Sequence, residues 1–235
     1  MPAPSSSPTA PPTPAHPAAQ ASEPAGLTRR ELLGTLAVAL GLAAAVAGIA
    51  FLAARHDRAG ASAHKPDKAR RLAPFALTDR TGRTVTLADV RGKILVANFV
   101  FSGCSLSCRA VNNRMEEIQR LVGEAPDVRL FSVTVDPRSD TPAVLARFAD
   151  SFHADTNRWL FLTGEKDAVY ELLEQSFLPR SRELEGQIPG GFVGTDRIML
   201  VDADGNVCAS FDGLRPGAPE AVAAEIQNLR KAARR

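Results

Sequence analysis

The apolar run ILVANFVF (residues 94–101) leads directly into Ser102-Gly103-Cys104-Ser105-Leu106-Ser107-Cys108. A run this apolar leaves no wet face, which predicts a central strand buried on both sides. The chain then turns into the first turn of a helix, where cysteines four apart lie on one face. Two sulfurs so placed can close a disulfide or grip one soft metal ion. Unpaired N–H groups at a helix start lower a thiol pKa and favour the thiolate that both uses require. Free cysteines are also common as small core residues. In a chain with three cysteines, a CxxxC pair at a strand-to-helix junction points instead to chemistry.

Downstream, Val111, Met115, Ile118 and Val122 recur with helical spacing and give the next helix one core stripe, so Met115 reads as packing rather than a thioether ligand. VRLFSVTV (128–135) predicts a second buried strand, stopped by Asp136-Pro137. Asp140-Thr141-Pro142 offers a side-chain cap and a first-turn proline for a helix carrying Val144, Leu145, Phe148 and Phe152 inward. Trp159–Leu162 reads as a short strand, residues 165–175 as a helix, and IMLVDADGNVCASF (198–211) as a hairpin turning at Asp204-Gly205. A last helix from about residue 219 buries Val222, Ile226 and Leu229.

Upstream, PFAL (74–77) and TVTL (84–87) flank a glycine turn and predict a short hairpin. Residues 55–71 read as a charged tether. Residues 32–54 contain no charge over 23 positions, long enough to cross a bilayer as a helix. The expected organisation is a disordered Pro/Ala-rich tail over 1–30, a transmembrane helix or signal anchor over 31–54, the tether over 55–71, and a folded domain over 72–235. Thr28-Arg29-Arg30-Glu31-Leu32-Leu33 is also similar to a twin-arginine export signal, with Ala61-Ser62-Ala63 as a small-residue cleavage site. Arg55, Arg58, Lys65, Lys68, Arg70 and Arg71 crowd the far flank and by the positive-inside count alone would hold the domain in the cytoplasm. No Lys or Arg precedes Arg29, which argues against a mitochondrial presequence.

The 235 residues suggest one core of ordinary size with appendages, and 45% hydrophobic residues can fill it. A net charge of +2 provides no nucleic-acid footprint. Alternating strands and helices, then a hairpin and a helix, predict an α/β layer fold. The CxxxC at the end of the first long strand narrows it to a thioredoxin-like domain, a central mixed sheet flanked by helices, behind one N-terminal membrane helix.

Five segments carry a family resemblance: Gly92–Phe99, Cys104-x-x-x-Cys108, Val135-Asp136-Pro137-x-x-Asp140-Thr141-Pro142, Trp159-x-Phe161-Leu162-Thr163-Gly164, and Leu200-Val201-Asp202-x-Asp204-Gly205. In that order, over roughly residues 72–232, the chain resembles the SCO/SenC family. The resemblance implies a membrane-anchored protein on the periplasmic or extracytoplasmic side of a bacterial inner membrane, against the charge count. It further implies copper handling for cytochrome c oxidase assembly, with the oxidase copper-site subunit or another periplasmic thiol protein as partner, or thiol-disulfide reduction there. It makes Cys104 and Cys108 both the redox-active dithiol and the metal ligands. The family's third ligand, a histidine before the C-terminal hairpin, aligns with Gly194, and no histidine follows His153. Two thiolates suit soft Cu(I), whereas Cu(II) wants nitrogen donors. The missing histidine therefore favours Cu(I) and raises the weight of dithiol-disulfide exchange, with Cys104 attacking and Cys108 resolving.

The remaining candidates have simpler readings. Cys208 lies in a strand and is expected to be a buried structural cysteine, with an exposed thiol as the alternative. Asp136 and Asp140 read as a strand stop and a helix cap. His153 reads as an exposed polar residue at a helix end, and His16, His56 and His64 lie in the tail or tether. The loop Gly186–Gly191 lacks phosphate-loop spacing and reads as a loop near the cysteines. A thiol peroxidase shares the fold, but Phe101 occupies the position three before Cys104 where a peroxiredoxin carries Thr or Ser.

Overall fold

The computed structural model describes residue 33 and residues 40–49, 63–64, 70–103, 107–180 and 191–233. The chain forms two compact units, Met1–Gly48 and Ile49–Arg235. Residue 33 and residues 40–49 (α1) are helical, and Leu33, Leu40, Leu42, Val46 and Ile49 are exposed. The rest of the expected span over 32–54 lies outside the described residues. Among the described residues no helix is long and apolar enough to cross a membrane.

The second unit is built on one mixed sheet. Its strands are β1 (Arg70–Arg71), β2 (Ala76–Asp79), β3 (Thr84–Thr86), β4 (Ile94–Val100), β5 (Val128–Thr134), β6 (Trp159–Thr163), β7 (Arg197–Val201) and β8 (Asn206–Asp212). They lie in the order β1-β8-β7-β4-β5-β6-β2-β3. β4, β5 and β6 are parallel neighbours, and the other pairings are antiparallel. The helices are α2 (Leu87–Val90), α3 (Ser107–Val122), α4 (Pro142–Asp150), α5 (Lys166–Ser176) and α6 (Ala218–Ala232).

All seven residues of β4 are buried, the one polar residue Asn98 included. Leu95, Ala97 and Phe99 join one core with Leu172, Leu173 and Phe177 of the α5 region. Ile94, Val96 and Val100 join the other with Val111, Met115 and Ile118 of α3, Leu145 of α4, and Val222 and Ile226 of α6. Met115 is fully buried packing. The same period-2 alternation thus feeds two cores, one on each face of the sheet.

The hairpin expected from PFAL and TVTL is present, with Thr78 opposite Thr84 and Gly82 at positive φ in the turn. Its second strand is cut short because Thr86 and Asp89 form a capping box that starts α2. The sheet also reaches into the stretch read as tether. Arg70 and Arg71 pair with Val207 and Asn206, and His64 bridges Ser210. These positions escape a hydrophobic reading because edge pairing uses backbone groups and leaves charged side chains free.

Candidate functional site

β4 and β5 are parallel, so both end at the same edge of the sheet, where open α/β sheets gather their chemistry. β4 gives way there to Phe101, Ser102 and Gly103, and α3 begins at Ser107. Cys104 lies outside the described residues. Cys108, in the first turn of α3, is half-buried and disulfide-bonded. No acidic side chain occupies that first turn of α3.

Asp140 is fully buried, and its carboxylate accepts from three groups. Thr134 Oγ1 donates at 2.5 Å, the Ser102 N–H reaches both oxygens at 3.3 Å, and the Ser102 hydroxyl donates as well. Such bonds compensate for burying a carboxylate. The cap assigned to Asp140 from sequence is in fact Thr141, whose side chain accepts the Val144 N–H at 3.4 Å. Asp140 instead ties the end of β5 to the residue two before Cys104. Asp136 accepts the Ser139 and Asp140 N–H groups with its backbone carbonyl, in keeping with a turn after β5.

A second buried network fixes Cys108 from behind. Trp159 Nε1 donates to Ser132 Oγ at 2.7 Å, and Ser132 Oγ to Asn98 Oδ1 at 2.5 Å. Asn98 Nδ2 then donates to Asn112 Oδ1 at 3.2 Å, and Asn112 Nδ2 to the Cys108 carbonyl at 2.8 Å. All four side chains are buried, so each unmade bond would be costly. Asn98 was legible only as the single polar residue in ILVANFVF, and nothing local pointed to its partners.

Gly194 sits in a turn just before β7, with φ +82° and its carbonyl accepting the Arg197 N–H at 3.1 Å. Its left-handed backbone suits glycine and strains most side chains. His64, expected in a loose tether, is held to β8 by two backbone hydrogen bonds with Ser210 at 2.8 and 2.9 Å. It lines one cavity with Gly194. His153 is exposed, as expected, and its Nδ1 is 3.1 Å from Glu116. Glu116 lies eight residues, roughly 12 Å, along α3 from Cys108. Among the described residues no group of three or more His, Cys, Asp or Glu could hold a metal ion. Of the loop over 186–191, only Gly191 is among the described residues.

Cys208 is free and half-buried rather than fully buried, with its thiol 3.5 Å from the Leu200 carbonyl. Burial pushes that thiol up to about 11, with the Asp202 charge adding to it. This is the opposite of an activated cysteine.

A family model described as SCO1/SenC matches residues 63–231. The SCO1 protein homolog of Bacillus subtilis (strain 168) is 30% identical over 143 residues, 60% of this chain and 73% of that protein. The chain spans about half the length of the mitochondrial SCO2 homologs it also matches. Among solved structures it is similar to BsSco, described as a member of the Sco family of cytochrome c oxidase assembly proteins with a disulfide switch. That match has a TM-score of 0.60 at 26% identity and covers 71% of this chain and 96% of that one. Bradyrhizobium japonicum ScoI with copper bound matches with a TM-score of 0.54 at 26% identity, over 67% of this chain and 98% of that one.

Proposed function

The chain belongs to the SCO1/SenC family, and from that premise we propose that it serves cytochrome c oxidase assembly through a Cys104/Cys108 dithiol that holds Cu(I) as cargo for the oxidase copper site. The observation that carries this reading is Cys108 itself. It is a disulfide-bonded cysteine in the first turn of α3, at the end of β4, while Cys208 is free. We take its bonding partner to be Cys104, so that reduction of the pair yields two thiolates four residues apart in the sequence.

The donor set fits soft Cu(I), which two thiolates can hold. It fits Cu(II) poorly, because Gly194 stands where the family resemblance expects a histidine, and Cu(II) wants nitrogen donors. The Asp140–Ser102 bonds and the Asn98–Asn112 relay would hold the two ends of the CxxxC loop in place, leaving little to reorganise when the sulfurs change partner. The apolar run over 32–54 would anchor the domain on the extracytoplasmic side of a bacterial inner membrane.

Replacing the native gene with Cys104→Ser or Cys108→Ser variants tests the proposal. Oxidase copper content is expected to fall in each variant and to recover when copper is supplied in excess. Unchanged oxidase copper in both variants would overturn it. A second reading, thiol-disulfide exchange with a partner, is favoured by the observed disulfide at Cys108. It is distinguished by a Cys108→Ser protein that accumulates mixed disulfides through Cys104 and by oxidase copper that added copper does not restore.

A further inference from the structure

A cavity of about 570 Å³ opens beside Gly194, between the start of β7 and the strand-like edge carrying His64. Its size is that of a ligand pocket. Phe177, Leu178, Val193 and Met199 supply apolar wall, whereas Arg70 and Arg197 bring two guanidinium groups to the same space. Arg197 Nε donates to Ser210 Oγ at 3.0 Å, which ties that side chain to β8. Nη1 of Arg70 is buried and has no hydrogen-bond partner. Among the described residues, neither arginine is ion-paired. Among the described lining residues Asp196 is the one acidic side chain, and His64 adds a further polar group.

Two guanidinium groups with no ion partner among the described residues, beside an apolar wall, complement a carboxylate carried on an apolar body, since arginine pairs with carboxylates in a bidentate fork. The cavity also adjoins the dithiol end of the sheet. The Gly213 N–H donates to the Asp196 carbonyl at 2.9 Å, and a Cβ at Gly213 would lie 3.1 Å from both methyls of Val111. Val111 is three residues along α3 from Cys108. A polypeptide bound here would lie within reach of the Cys108 region.

We infer that this cavity is a docking site for a partner protein, which it grips by an acidic side chain flanked by apolar residues, with Arg70 and Arg197 as the carboxylate clamp. Charge complementarity selects this occupant over a neutral apolar segment. The inference stands apart from the copper reading, because it concerns recognition and needs no metal.

The test uses the full-length chain in detergent micelles and a fluorescent, N-acetylated, C-amidated peptide with one glutamate between a leucine and a phenylalanine. Anisotropy is read against the same peptide in empty micelles. The expected result is saturable binding that weakens by about tenfold or more when glutamine replaces the peptide's glutamate, as for loss of a charged hydrogen-bonded pair. The R70Q/R197Q protein is expected to lose the same factor and R70K/R197K to lose less, with both proteins retaining wild-type circular dichroism. Equal binding of the glutamine peptide, unchanged binding by R70Q/R197Q, or no binding at all would overturn the inference. Competition by free 4-phenylbutyrate at concentrations as low as the peptide's own would overturn it in favour of a small organic acid.

Discussion

Ser102 donates both its backbone N–H and its hydroxyl to the buried carboxylate of Asp140, across 38 residues of sequence. The contact joins the loop that leaves β4, two residues before Cys104, to the turn that follows β5. Ser102, the residue two before Cys104, is therefore held by a residue that belongs to a different element. Thr134 completes the carboxylate's shell from inside the sheet.

Asp140→Asn replaces one acceptor oxygen with a donor that faces the donors of Ser102 and Thr134. Urea denaturation is expected to show a loss of about 1–3 kcal/mol, the usual cost of leaving buried polar groups unsatisfied. The Cys108 disulfide is expected to be reduced faster by dithiothreitol, because its supporting loop is freed. An unchanged reduction rate beside a normal fold would mean that the contact stabilises the fold without positioning the site.

Asn98 and Asn112 form the middle of the relay that ends on the Cys108 carbonyl. Alanine at either position is expected to destabilise the chain by about 1–3 kcal/mol. Because they share one network, the double variant is expected to cost less than the sum by about 0.5–3 kcal/mol, as measured by a double-mutant cycle. Strict additivity would show that the two side chains act independently.

Gly194→His puts an imidazole at the position that resemblance assigns to a third ligand. At φ +82° the substitution strains the backbone by about 1–3 kcal/mol. Copper(II) titration of the reduced variant is expected to give a thiolate charge-transfer band that the wild-type chain lacks, since nitrogen donors favour Cu(II). Absence of the band in a folded variant would show that residue 194 does not face the dithiol.

Much of this architecture was legible because it is written in local patterns. The apolar run over 94–101, the helical stripe at Val111, Met115 and Ile118, and the Asp204-Gly205 turn each report their own surroundings. Legibility ended where contacts are distant in sequence. The segment Asp140-Thr141-Pro142 suggests a cap at Asp140, yet Thr141 performs that role and Asp140 reaches Ser102 instead. His64 carried no marker of its attachment to Ser210, since edge pairing is made by backbone groups that every residue possesses. The strand around Cys208 is legible, but its half-burial depends on the core that includes Val222 and Ile226 of α6 and not on its own neighbours in sequence.

Burial raises the Cys208 thiol to about 11, so at pH 8 only about one molecule in a thousand carries the thiolate there. After reduction, iodoacetamide at pH 8 is expected to label Cys104 and Cys108 well before Cys208, as followed by peptide mass spectrometry. Labelling of Cys208 at a comparable rate would show that the thiol is open to solvent and activated.

Arg230 donates to both oxygens of Asp127 at 2.7 and 2.6 Å, tying α6 to the residue before β5. The hydrogen bonds from Arg230 hold the Asp127 carboxyl below its ordinary range. A folded value below the unfolded one of about 3.9 means the stabilisation is fully present above that pH and is lost as pH falls through the folded value. Asp127→Asn is expected to melt below the wild-type chain by a steady margin from pH 7 to about pH 5. That margin should shrink as the pH drops below about 4. A margin independent of pH down to the acid transition would show that the pair contributes no linkage.

A competition titration of the reduced full-length chain against a Cu(I) chelator tests most directly whether the CxxxC dithiol holds Cu(I). The expected result is tight one-to-one binding that is lost in Cys104→Ser and unaffected in Cys208→Ser. Weak binding, or binding that survives Cys104→Ser, would contradict the account and leave thiol-disulfide exchange as the function of the pair.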